Sequence, residues 1–383
     1  MPSSARDLRL DFFRGLALIF IFVDHIPGNV LSHFTLQAFQ FCDAAEVFFF
    51  ISGFTAALVY GRVLATQGKL RATAQVWRRA WQLYVAHVFL FMLFMAEVSY
   101  TVTTFNNPMY AEEIRAASFL QEPYIAIVKA LLLQFQPAFL DILPLYIVLL
   151  LAFPAILLGL RRSPLLVLVP SLLLYLAVQV LDLSVPAYPP GRTWYFNPLA
   201  WQFVFAVGAV LGHEAVSGRR WRRLGRALLP LAIAVLAVGL VIRLSWSLHN
   251  AWDGIPALFV GELWPVDKNN LAPIRVASFF ALAVLVAALV RPQAAWLQTR
   301  PAQPLLSCGR HSLEIFCLGI LLSALAHIVL SESGGGTGMQ LAVNLAGILA
   351  MVLTAAMMDW YRNTGRTPAL ARAQAEPSPG AGA

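Results

Sequence analysis

Residues 140–182 read LDILPLYIVLLLAFPAILLGLRRSPLLVLVPSLLLYLAVQVLD. Two apolar blocks stand either side of Arg161-Arg162, and each is close to the roughly 20 residues that a helix rising 1.5 Å per residue needs to cross about 30 Å of hydrocarbon. A helix satisfies its own backbone groups in lipid, so helix is the expected form. The rest of the chain repeats this design. Of 383 residues, 59% are hydrophobic and 12% charged, about half the charged share of an ordinary soluble domain. One globular core could not bury so much apolar surface, and a lipid solvent removes the need to.

Ten spans are expected, near 10–30, 44–62, 80–100, 140–160, 164–182, 198–214, 227–248, 273–291, 311–330 and 339–360. The apolar stretch Tyr124 to Gln136 is too short to cross and reads as an interfacial or re-entrant piece. The first span has no small-residue cleavage site behind it, so it reads as an anchored helix and not as a signal peptide. Residues 1–366 form a single membrane-embedded domain in this reading. The Ala-, Pro- and Gly-rich residues 367–383 read as a disordered cytoplasmic tail.

The arginines orient the spans. Arg6 and Arg9 precede the first; Arg62, Lys69, Arg71, Arg78 and Arg79 follow the second; Arg161 and Arg162 follow the fourth. Arg219, Arg220, Arg222, Arg223 and Arg226 follow the sixth, Arg291, Arg300 and Arg310 the eighth, and Arg362, Arg366 and Arg372 the last. With ten spans, these twenty of the 27 basic residues fall on one side, which the positive-inside rule makes cytoplasmic, together with both termini. The net charge of +8 is then a topology signal and implies no nucleic-acid partner. Cys42, Cys308 and Cys317 show neither metal-ligand spacing nor a disulfide framework, and no metal site is expected. The chain has no G-x-S-x-G elbow, no H-E-x-x-H and no phosphate loop.

Chemistry must therefore sit on the spans. His25 stands eleven positions after Arg14, and eleven steps of about 100° end some 20° beyond three full turns, so the two share a helix face about 16 Å apart along the axis. Asp11 lies on that face at the i, i+3 distance from Arg14, close enough to pair with it. Ordinary readings exist: Arg14 as a snorkelling anchor, His25 as an interfacial histidine bonded to a loop carbonyl, Glu46 as a headgroup-level carboxylate. Ionisable groups in a span carry an insertion penalty, and two on one face favour function over accident. Ser52-Gly53 reads as a close-packing element. His87, Arg243, Arg275 and His327 are further ionisable groups within spans, structural or functional alike.

Arg9-Leu-Asp-Phe-Phe-Arg-Gly15, the Arg-x10-His spacing ending in Asp24-His25, and Ala45-Glu-Val-Phe-Phe-Phe-Ile-Ser-Gly-Phe54 together resemble the OpgC family of membrane acyltransferases. So do Arg79-Ala-Trp-Gln-Leu-Tyr84 with His87, Asp141-Ile-Leu-Pro-Leu-Tyr146, Asn197-Pro-Leu-Ala-Trp-Gln202 and Gly309-Arg-His-Ser-Leu313. The resemblance implies ten spans and a multi-pass protein of the bacterial inner membrane. It further implies an acyltransferase carrying succinyl groups from a cytoplasmic acyl-CoA to a periplasmic glucan. Related acyltransferases carry a second basic pair spaced Arg-x-x-Arg in the third span; here Gln82 follows Arg79, and Arg78 is the candidate substitute.

On this reading Arg14, Arg78, Arg79 and Arg310 hold the donor's phosphates. His25 accepts the proton of the attacking sugar hydroxyl, and Glu46 orients His25 or holds its charge. Acetyl transfer to another envelope polysaccharide or glycolipid is an alternative. A transporter or flippase of an acylated or anionic solute is the rival class, yet no internal repeat is evident and Pro144 and Pro154 of the fourth span have no matching pair elsewhere. A scaffold without chemistry has little use for the charged face of the first span.

Overall fold

The computed structural model describes residues 6–215, 220–252 and 254–364. The expected tail at 367–383 lies outside them, as do Arg219 and the side chains of residues 220–224. The fold is all-α, 78% helical, and its one sheet among the described residues is a two-residue antiparallel pair, Pro186–Ala187 with Arg192–Thr193.

The helices are α1 (Leu8–Asp24), α2 (Leu36–Phe39), α3 (Ala44–Phe105), α4 (Met109–Glu113), α5 (Ala117–Gln121), α6 (Pro123–Leu131), α7 (Ile142–Arg162) and α8 (Leu165–Leu181). They continue with α9 (Pro198–Glu214), α10 (Arg220–Ala251), α11 (Val260–Leu263), α12 (Pro273–Leu289), α13 (Gln303–Arg310), α14 (Ser312–Glu332) and α15 (Thr337–Thr364). All ten apolar segments fall on helices, two of them on α3, which breaks at Gly68 (φ +83°) into limbs 44–67 and 69–105. By length and composition, α3, α7, Gly225–Asn250 of α10, α14 and α15 are each able to cross a membrane, and α8 and α12 are shorter apolar helices. Tyr124 to Gln136 forms only the nine-residue α6 and a loop.

The first segment departs from its expected extent. Helix α1 stops at Asp24 instead of running to residue 30, and His25 caps it, its N–H donating to the Ile21 carbonyl. Pro27 disfavours helical backbone at Ile26, and Gly28 turns the chain at φ +65°. The Asn29 amide then donates to the freed Val23 carbonyl at 2.9 Å and exchanges hydrogen bonds with Asn344 of α15 at 3.0 and 2.9 Å.

Glycines set how closely the central helices approach. A Cβ on Gly15 would stand 2.0 Å from the Leu305 carbonyl oxygen, and one on Gly309 1.8 Å from that of Asp11, so α1 and α13 touch backbone to backbone. Gly53 meets the Phe205 oxygen in the same way, and Gly208 and Gly212 meet those of Phe50 and Phe54, which makes the α3–α9 seam. Small residues at helix crossings are the usual device in lipid, where exclusion from water drives no association. Helix α1 thus lies against α3, α13 and α14.

Gly309→Val should force α1 and α13 apart and cost about 1–3 kcal/mol, the usual range for overpacking, while Gly61→Ala, with open space around its Cβ, should not. Thermal unfolding in detergent reads both. Equal midpoints would contradict the seam.

Candidate active site

The His25 end of α1 faces the start of α3. Asp43 and Glu46 form a capping box there: Asp43 accepts from the Ala45 N–H at 2.8 Å, and Glu46 accepts from the Asp43 N–H at 2.9 Å. Such a box satisfies orphan donors of the first helical turn. The outer oxygens of the box take cations. Arg275 of α12 donates Nε to Glu46 at 2.8 Å and Nη2 to Asp43 at 2.9 Å, and Lys268 places Nζ 2.6 Å from Asp43. Two carboxylates and two cations thus neutralise each other in a buried cluster. Burial works against the Asp43 charge, but Lys268 and Arg275 outweigh it and hold the carboxyl well below its ordinary range. Lys268 is raised in turn: burial opposes its charge and Asp43 more than restores it.

The charges of Lys268 and Asp43 act on the His25 ring, and Phe139 lies against it, centroid to centroid 4.5 Å. Phe139 sits at φ +74°, a conformation that disfavours a bulky residue and that persists where the surroundings enforce it. Nδ1 of His25 is buried with no hydrogen-bond partner, while Nε2 is not sealed in this way. The neighbouring Asp24 accepts from the Thr35 hydroxyl at 2.7 Å. Asp141, buried at the head of α7, lies in the fields of Arg115 and Lys268.

The Arg14 end carries the second group. Arg14 Nη2 donates to Thr55 Oγ1 at 2.8 Å, which ties α1 to the first limb of α3. Asp11 does not pair with Arg14. Arg6 turns back over the helix start and takes both Asp11 oxygens at 2.6 and 2.9 Å, leaving Arg14 free to reach α3. A cavity of about 520 Å³ opens here, lined by Arg79, Arg310, His311, Trp360, Tyr361 and Arg362 among others. Arg14 lies within the field of Arg79. Arg310 donates to Asp359 at 2.6 Å, His311 Nε2 lies 3.0 Å from the same carboxylate, and Arg310 Nε has no partner.

Of the residues expected from the sequence, Arg79 and Arg310 share this cavity and Arg14 is close by. Arg78 is exposed and is not among the lining residues. Where an Arg-x-x-Arg pair would put its second arginine, Gln82 accepts from Arg79 Nη1 at 3.3 Å. His25 and Glu46 share no hydrogen bond; the Glu46 oxygens are taken by Arg275 and the helix cap. Arg275, read from sequence as structural or functional alike, is the cluster's central cation. Lys268 and Asp359 were not singled out; Lys268 stands alone in a polar loop and Asp359 ends an apolar helix, and neither position carries a motif.

The sequence profile of the family described as OpgC protein matches residues 6–363. No curated protein and no solved structure matches the chain. The matched span contains both polar ends of α1 and every helix that frames them, and the chain belongs to the OpgC family of membrane acyltransferase-type proteins.

Proposed function

We propose that this protein is a multi-pass O-acyltransferase of the bacterial inner membrane. It moves an acyl group, succinyl, from a cytoplasmic acyl-CoA to a hydroxyl of a periplasmic glucan. The observation that carries the reading is the division of labour along α1, with cationic Arg14 beside the Arg79–Arg310 cavity at one end and His25 with its charged cluster at the other. The distribution of arginines supports ten crossings with the cavity on the cytoplasmic side, and family membership supports the reaction class.

The phosphates of the donor lie against Arg14, Arg79 and Arg310, whose forked donors suit phosphate oxygens. Its thioester extends along α1 to His25, about 16 Å away along the helix. His25 takes the proton of the attacking hydroxyl and returns it to the leaving thiolate. Asp43, Glu46 and Arg275 keep the charges beside it fixed.

Mass spectrometry of periplasmic glucans from cells with and without the protein tests the substrate pair directly, and acyl esters should appear only with it. Two substitutions should separate binding from chemistry. His25→Ala should lower transfer by at least about 10²-fold, the low end for general-base assistance, with acyl-CoA affinity in detergent unchanged. Arg79→Ala should weaken that affinity by about 10- to 150-fold, one charge-assisted contact being about 1.5–3 kcal/mol. A His25→Ala variant within a few-fold of wild type would remove His25 from the chemistry. Reporter fusions after Gly218 and at the C-terminus should report cytoplasm, and fusions near Asn107 and Gly335 periplasm; a periplasmic C-terminus would contradict ten crossings.

A further inference from the structure

The cavity of about 520 Å³ has two unlike walls. One carries Arg310 of α13, the helix whose Gly309 lies against the Asp11 carbonyl of α1, with Arg79 of α3 also on the lining. The other belongs to the last turns of α15, where Met357, Met358, Tyr361 and Arg362 line the space. These four follow the i, i+1, i+4, i+5 spacing of one helix face, and Trp360 flanks it. The volume falls within the roughly 300–1,000 Å³ usual for small-molecule sites.

Its donors are not spent within the protein. Asp359 holds Arg310 through Nη2 at 2.6 Å, while Arg310 Nε is buried with no partner. Arg79 donates to the neutral Gln82, and among the described lining residues Glu314 is the one acid against three guanidinium groups. The Tyr361 ring is 75% exposed, so its face is free of packing. A tyrosine of the membrane-boundary belt is equally exposed, but a belt needs neither a cavity in front of the ring nor an arginine next to it on the same face. A purine stacks on an aromatic ring, and a phosphate pairs with a guanidinium. In coenzyme A the adenine and the 3′-phosphate hang on one ribose, so the groups that read them must be neighbours, as Tyr361 and Arg362 are. The diphosphate follows from the same ribose, which suits Arg79 and Arg310, and the arm then leaves along α1.

We propose that the α15 wall of this cavity is the nucleotide subsite of the donor, with adenine stacked on Tyr361 and the 3′-phosphate read by Arg362. The inference rests on the acyl-CoA donor proposed above, and it makes the protein selective for coenzyme A over carriers that lack the base or the 3′-phosphate. No bond forms or breaks at this subsite; it decides which carrier delivers the acyl group. An anionic lipid headgroup would engage the same arginines, but it brings no base to the ring.

Titration calorimetry on full-length protein in a neutral detergent, with CoA, 3′-dephospho-CoA and adenosine 3′,5′-bisphosphate as probes, tests this. Wild-type protein should bind CoA about 10- to 150-fold more tightly than dephospho-CoA, the worth of one charge-assisted contact. Arg362→Gln should remove that difference, weakening CoA while dephospho-CoA changes less than about threefold. Tyr361→Ala should weaken CoA and dephospho-CoA alike by about 5- to 150-fold, as loss of one stacked base does, and Tyr361→Phe should change either by less than about threefold. The bisphosphate, which has no arm, should suffer the same two losses as CoA. Both side chains are exposed at the end of α15, so the fold should survive; should a variant not fold, the wild-type ratio still decides. Equal wild-type affinity for CoA and dephospho-CoA overturns the proposal. So does an Arg362→Gln loss that is the same for both, which marks a general charge effect, or a Tyr361→Ala variant that binds as wild type, which is the result for a lipid headgroup site. In each of these cases CoA still binds and the donor reading stands. Wild-type protein that binds no CoA overturns the donor reading, and this proposal with it.

Discussion

Asp43 and Glu46, 5% and 0% exposed, head a helix whose next turn is Val47-Phe48-Phe49-Phe50. Carboxylates so placed persist only when paired, because losing one partner of a buried ion pair typically costs about 3–5 kcal/mol. Arg275 and Lys268 meet that requirement, and in doing so they locate the start of α3 against α12 and against the loop before it. The same pairing makes two acids tolerable in an apolar bundle, and the charges of Asp43 and Lys268 act on His25 at the end of α1.

Helix α1 then separates two environments by its length. The glycine seams with α13 let it sit deep in the bundle, with Arg14 turned to Thr55 at one end and His25 turned to Phe139 at the other. Both ends are polar for different reasons. Around the cavity the cations outnumber the acids, with Arg79, Arg310 and Arg362 against Glu314 on its lining, and Asp359 ties Arg310 to His311. In the cluster at the other end, Asp43 and Glu46 are balanced by Arg275 and Lys268. A surplus of positive charge suits a polyanionic ligand; a neutral, ordered cluster suits proton transfer in which charge appears and vanishes.

Much of this was legible in the sequence. The apolar segments are long, so every one of them falls on a helix, and the Arg14–His25 spacing marks a face whose two ends differ. What escaped were contacts made over long sequence separations. Glu46 reads as a partner for His25 because it enters the membrane from the outer side just after the first helix leaves it, while its oxygen pairs with Arg275, 229 residues away. Asp11 and Arg14 have the right helical spacing to pair, but Arg6 competes from the preceding segment. The 10–30 span was drawn too long because residues 25–30 are still partly apolar, while Pro27 and Gly28 end the helix locally. Lys268 gives no signal by composition; its ion pair with Asp43 places it in the cluster.

On the proposed reading, one protein takes an acyl group from a thioester on one side of the bilayer and leaves it as an ester on the other. The most direct measurement uses sealed proteoliposomes, oriented with the Arg310 cavity outward, holding a glucan inside and given acyl-labelled CoA thioester outside. The account predicts labelled ester on the enclosed glucan, with free CoA released outside in equal amount. Label that crosses only as a free solute, leaving the glucan unmodified, would contradict it.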